Sequence, residues 1–117
     1  MATNDKQITT EEQLTFIRKH AKEYAQAKGD RVYLEQYRKS KKALLMVEAE
    51  RKGLKTGQER ESYAYGHDDY IALLTALQIA VEKEEYLALI IKGCWTKLEL
   101  WRTEQANERA ERKAYGN

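Results

Sequence analysis

The sequence contains no proline, and only one cysteine, one phenylalanine and six glycines in 117 residues. Average usage would supply about six prolines to a chain of this length. Without them, the residue that most effectively stops a helix is missing. Cys94 stands alone, so no internal disulfide can form, and two histidines add little material for a His/Cys zinc site. No apolar run approaches the roughly 18 residues that a membrane span needs. The opening "MATNDKQITTEEQ" is polar and unlike a signal peptide. These absences point to a reducing cytosol.

The phosphate-binding patterns GxxxxGK[ST] and GxGxxG are absent too. So are the inward Glu-x-x-His pairs of a di-metal bundle. Cys94 has only His20 and His67 as bases, and neither stands in a context that supports a nucleophile–base–orienter set. The expectation is a protein that is not an enzyme and uses no cofactor or metal.

What is present favours helices. Charged residues make up 34% of the chain, and Glu, Lys, Ala and Leu abound. Net charge is only +2, but its distribution is uneven. Residues 31–60 carry nine basic and four acidic groups, whereas residues 61–101 carry three and seven.

The first eight residues read as disordered, followed by one helical domain over 9–115. Thr9 with Glu12, or Thr10 with Gln13, has capping-box spacing. Leu14, Ile17, Ala21, Tyr24 and Ala25 then recur at helical spacing, giving a helix over about 9–28. A second helix is expected over about 31–52, with Tyr33, Tyr37, Leu44 and Val47 on one side and Leu34 and Leu45 flanking. Gly53 and Gly57 either end or loosen it. After "YAYGHDDY", where Asp68 and Asp69 suit a positive helix N-terminus, a third helix runs over about 68–114. Its apolar register is nearly a heptad: Tyr70, Leu73, Leu77, Ala80, Glu84, Leu87, Ile91, Cys94, Leu98 and Trp101. Glu84 is the one polar interruption. At about 72 Å, this helix must bury its stripe against shorter helices, another copy, or both. The fold class is therefore all-α: a helical hairpin or three-helix unit with one very long C-terminal helix and coiled-coil-like self-association. Leu77, Leu87, Ile91, Cys94, Trp95, Leu98 and Trp101 are the expected oligomer interface.

Two constellations bear on function. At 100° per residue, Arg31, Arg38 and Lys42 fall in one sector, with Lys41 and Lys52 beside it. Such a strip can track a phosphate backbone or form an ordinary solvated face with i,i+4 ion pairs such as Glu48–Lys52. Tyr63 and Tyr65 lie beside Lys55 and Arg60 in an expected loop. There they can stack on bases or edge the core with their hydroxyls in water. Tyr33, Tyr37, Tyr70 and Tyr86 read as core.

The run "KKALLMVEAERK", then a polar stretch, "YAYG", and a long helix with a central tryptophan and basic end resembles the UvsY-type recombination mediators of bacteriophages. The resemblance spans roughly residues 30–113 and rests on Lys41, Lys42, Leu45, Glu48, Ala49, Lys52, Tyr63 and Tyr65. It implies a homo-oligomer of the kind that assembles into rings, in the host cell cytoplasm. It also implies binding of single-stranded DNA and help to a phage recombinase in displacing the single-strand-binding protein. The family's DNA-contacting run is Lys-Ala-Arg-Leu before the tyrosines. Here the region reads "LKTGQERESY", with Lys55 and Arg60 as the nearest basic positions. The expected nucleic-acid-binding residues are therefore Arg38, Lys41, Lys42, Lys52, Lys55, Arg60, Tyr63 and Tyr65. A virion assembly or scaffolding protein, and a host-directed inhibitor, are the alternatives.

Overall fold

The computed structural model describes residues 2–115, with side chains from Thr10 onward. It contains α1 (Ala2–Arg51), α2 (Gly57–Gly66) and α3 (Asp68–Tyr115). The fold is all-α, with no strand among the described residues.

Helix boundaries differ from expectation at three places. α1 is a single 50-residue helix, not separate helices over 9–28 and 31–52. Gly29 does not break it, because a glycine in a helix interior costs only about 1 kcal/mol and no proline reinforces the break. α1 also begins at Ala2, ahead of the expected start at residue 9. Thr10 is thus inside the helix and does not cap it; Met1 and the Thr9 side chain lie outside the described residues. Finally, the expected loop around Tyr63 and Tyr65 is α2. The third helix follows the heptad pattern from Asp68.

Local chemistry sets the ends between these helices. Gly53 has φ +97°, the left-handed conformation that favours glycine. Its N–H bonds to Glu50 O at 3.0 Å, and Leu54 N–H bonds to Ala49 O at 3.1 Å. This paired closure satisfies the last carbonyls of α1, so Gly53 ends the helix. Thr56 caps α2 by accepting from Glu59 N–H at 3.1 Å, while the Glu59 carboxylate accepts from Lys55 N–H at 3.3 Å. His67 closes α2 through its backbone N–H to Ala64 O at 3.3 Å. It also opens α3: its Nδ1 accepts from Asp69 N–H at 3.0 Å.

The chain forms two units, residues 25–85 and residues 1–24 with 86–117. In the 25–85 unit α1 and α3 run antiparallel, Arg31 meeting Glu84 and Lys41 meeting Asp69. From α3, Tyr70 and Glu84 are buried, and Leu73, Leu77 and Ala80 half-buried. From α1, Ala27, Arg31, Leu34, Arg38, Lys41, Leu45 and Glu48 turn inward at alternating spacings of four and three. Leu45, Ala64 and Tyr70 form the core cluster, with Met46 packed against it. Ala49 and Ala64 are fully buried (0% exposed), so small residues let α2 seat closely.

This inverts the face expected for the second half of α1. Tyr33, Tyr37, Leu44 and Val47 are exposed, while the flanking Leu34 and Leu45 face inward. Tyr33 and Tyr37 stack on each other at 5.9 Å. The inward face is the one that offers Arg31 to Glu84 and Ala49 to α2. An unpaired carboxylate in the α3 stripe would cost more than an exposed Tyr or Leu. Of the four tyrosines expected in the core, only Tyr70 is buried; Tyr86 is 64% exposed.

In the other unit, Ile17, His20 and Tyr24 from α1 and Ile91, Leu98 and Trp101 from α3 are half-buried. Only Leu87 and Cys94 are buried there among the described residues. The stripe expected to join subunits is therefore largely an intrachain face. Leu77, Leu87, Ile91, Cys94, Leu98 and Trp101 all turn inward, and only Trp95 is exposed. α1 supplies the partner that the heptad demanded.

Candidate nucleic-acid interface

All eight expected contact residues lie in the 25–85 unit, around α2. Folding engages three of them, Lys41, Lys42 and Arg60, with acidic or carbonyl groups. Lys41 Nζ lies 3.3 Å from Asp69, and Lys42 Nζ lies 3.2 Å from Glu61. Arg60 donates to Leu54 O at 2.9 Å and lies 4.0 Å from Glu50. Lys55 is exposed and Arg38 half-buried. Within the unit the basic segment meets an acidic one, and its eleven basic side chains match eleven acidic ones. The positive excess of residues 31–60 is thus neutralised by the fold.

Tyr63 and Tyr65 do not form one platform. They flank the fully buried Ala64 on opposite sides of α2. Each receives a lysine, Lys42 from α1 and Lys52 from the turn that follows it. Lys42 Nζ sits 4.7 Å from the Tyr65 ring centroid, and Lys52 Nζ sits 5.2 Å from that of Tyr63. Hydrogen bonding to Tyr65, then to Glu61, raises the Lys42 pKa, and bonding to Tyr63 raises that of Lys52. Both ammoniums therefore keep their charge at neutral pH. Tyr65 also packs edge-on against Tyr70 at 5.4 Å, leaving it 47% exposed.

Tyr63 is the less exposed of the two rings, and a groove opens beside it. Lys52, Ser62, Tyr63, Gly66, His67 and Asp68 line a groove of 480 Å³. The His67 ring meets Tyr63 edge-on at 5.7 Å, and its Nε2 lies 3.8 Å from Glu48. A ring face, an ammonium and a hydroxyl residue converge there. Such a set suits a flat aromatic group carrying an anion.

Pattern reading missed the Arg31–Glu84 pair. Arg31 binds Glu84 through Nε and, at 3.2 Å, through Nη2, while Nη1 holds Glu35 at 2.9 Å. The guanidinium bond holds the Glu84 carboxyl below its ordinary pKa. The signal was available: a glutamate inside an apolar heptad requires a cation at the matching level of its neighbour. It went unread because apolar periodicity favours the Tyr33, Tyr37, Leu44 and Val47 side of the helix over the inward line that contains Arg31.

Among the described residues no group of His, Cys, Asp and Glu is arranged to hold a metal ion. Among the described residues no helix is long and apolar enough to cross a membrane. Comparison with protein-family models, curated proteins and solved structures finds no match to this chain.

Proposed function

We propose that this is a non-catalytic bacteriophage protein that binds single-stranded DNA and assists recombination, working as several joined copies. The observation that carries the reading is the groove in which Lys52 lies over Tyr63 beside Ser62 and His67. A base stacks on the Tyr63 ring, and its phosphate takes Lys52. Stacking on an aromatic side chain contributes about 1–3 kcal/mol per base. The resemblance of residues 30–113 to recombination mediators supports the same role. Because the 25–85 unit is electrically balanced, one copy neutralises few phosphates. Joined copies convert weak single contacts into useful affinity.

The test is fluorescence anisotropy with labelled single- and double-stranded oligonucleotides across a salt series. Preference for the single strand is expected, with Tyr63→Ala weakening binding about tenfold or more. Lys52→Ala should lower the salt slope by about 0.7. Absence of binding at low salt by a folded protein would remove the reading.

A second reading, a helical assembly or scaffolding protein, is favoured by a different observation. Sixteen large apolar or aromatic side chains are exposed, against seven buried hydrophobic ones, among the described residues. Strong self-association without salt-dependent DNA binding is its signature.

A further inference from the structure

Within residues 86–103 the outward side of α3 carries a second regular seam. Tyr86, Leu89, Gly93, Thr96, Leu100 and Thr103 follow one another at spacings of three and four. This line lies nearly opposite the inward residues Leu87, Ile91, Cys94 and Leu98. Tyr86, Leu89 and Leu100 are 64%, 66% and 61% exposed. Thr96 and Thr103 return their hydroxyls to the carbonyls of Lys92 and Glu99, at 2.9 and 3.0 Å. Their polar atoms are thereby satisfied, and their methyl groups are left for packing.

Gly93 is unexplained by the chain itself. It sits inside a helix, where glycine costs about 1 kcal/mol relative to alanine. A Cβ added there meets nothing within 4 Å. A helix crossing over this point would account for it, because small residues let two helices approach closely.

The seam is complementary to itself. Laid antiparallel on a second α3 about a twofold axis near Cys94 and Trp95, Leu89 faces Leu100 of the partner subunit, and Gly93 faces Thr96 of the partner subunit. On the adjoining edge Lys92 faces Glu99 of the partner subunit. Both are exposed, and neither has an ion pair among the described residues. The exposed parts of Tyr86, Leu89 and Leu100 offer about 400 Å² per copy, roughly 800 Å² for the pair before the flanking Lys92 and Glu99 are added. That is the size of a weak, concentration-dependent contact, for which the matched charges supply the specificity. We infer that a second copy of this chain docks antiparallel on the Tyr86–Thr103 seam of α3, forming a twofold dimer closed by two Lys92–Glu99 pairs. The dimer does not depend on the DNA-binding reading.

Sedimentation equilibrium of the full chain without DNA tests it, with circular dichroism confirming helicity. The wild-type chain is expected to dimerise, and Leu89→Glu to weaken the dimer at least a hundredfold by burying charge at the seam. Lys92→Glu and Glu99→Lys should each weaken it about tenfold by setting like charges opposite each other. Mixing these two variants should restore association, since their charges then match on both edges. A monomer at all concentrations would overturn the inference. So would an oligomer indifferent to Leu89→Glu, or charge variants that fail to rescue each other.

Discussion

The two units differ in how they bury the same two helices. In residues 25–85 a third helix closes the pair, and Leu45, Ala49, Ala64 and Tyr70 become a local core. In residues 1–24 with 86–117 there is no third helix, and only Leu87 and Cys94 are buried among the described residues. A pair of helices covers one face of each member, so the remaining apolar face needs another source of cover. α2 provides it in one unit. In the other, Tyr86, Leu89 and Leu100 remain exposed, which is why a second copy is inferred there.

The change that should break this contrast most strongly is removal of Arg31. Arg31→Met leaves Glu84 buried without its cation and should lower the melting temperature by about 10 °C. Adding Glu84→Leu should recover most of that loss, because the two apolar side chains satisfy each other. Thermal unfolding of the two variants checks both statements.

Gly53→Ala comes next. It places a side chain at φ +97°, costing about 1–2 kcal/mol, and loosens the connection that delivers α2. Thr56→Ala removes the α2 cap and should cost about 1 kcal/mol. Urea titrations followed by circular dichroism measure both, and amide exchange should locate the losses in residues 25–85.

Acid should act on the Arg31–Glu84 level. The folded Glu84 carboxyl titrates below its ordinary value of 4.5, so its stabilisation is complete above about that pH. It is lost as pH falls through the depressed value. Glu84→Gln should flatten this part of the pH–stability curve, read from unfolding midpoints across an acid series.

The smallest effects sharpen the comparison. Gly29 and Gly93 both lie inside helices with open space at the Cβ position. Gly29→Ala should stabilise the fold by about 0.5–1 kcal/mol at every protein concentration. Gly93→Ala should give the same gain to the monomer but make unfolding less dependent on concentration, because the added methyl group enters the dimer seam. Equal behaviour of the two variants would place no partner at Gly93.

Much of α3 was legible in the sequence because its signal is redundant. Ten positions from Tyr70 to Trp101 repeat one register, and all ten turn inward. α1 was less legible because it carries two competing faces. Tyr33, Tyr37, Leu44 and Val47 are the more apolar line, yet the inward line contains Arg31, Arg38 and Lys41. Apolar periodicity ranks faces by hydrophobicity and cannot see that Glu84 and Asp69 await cations on the neighbouring helix. The candidate site had the same difficulty. Lys41, Lys42 and Arg60 read as free positive charge until Asp69, Glu61 and Glu50 came beside them.

By itself, the sequence determined an all-α chain, the extent of α3, the heptad face that α3 buries, and the acidic residues Asp68 and Asp69 at its start. Each follows from contacts within a few residues, where spacing along the chain equals proximity in space. Tertiary structure alone decided which face of α1 turns inward, that Gly29 does not interrupt it, and that the basic segment is neutralised. Those outcomes depend on pairs such as Arg31 with Glu84, 53 residues apart in sequence, whose free energy exists only once two helices are side by side.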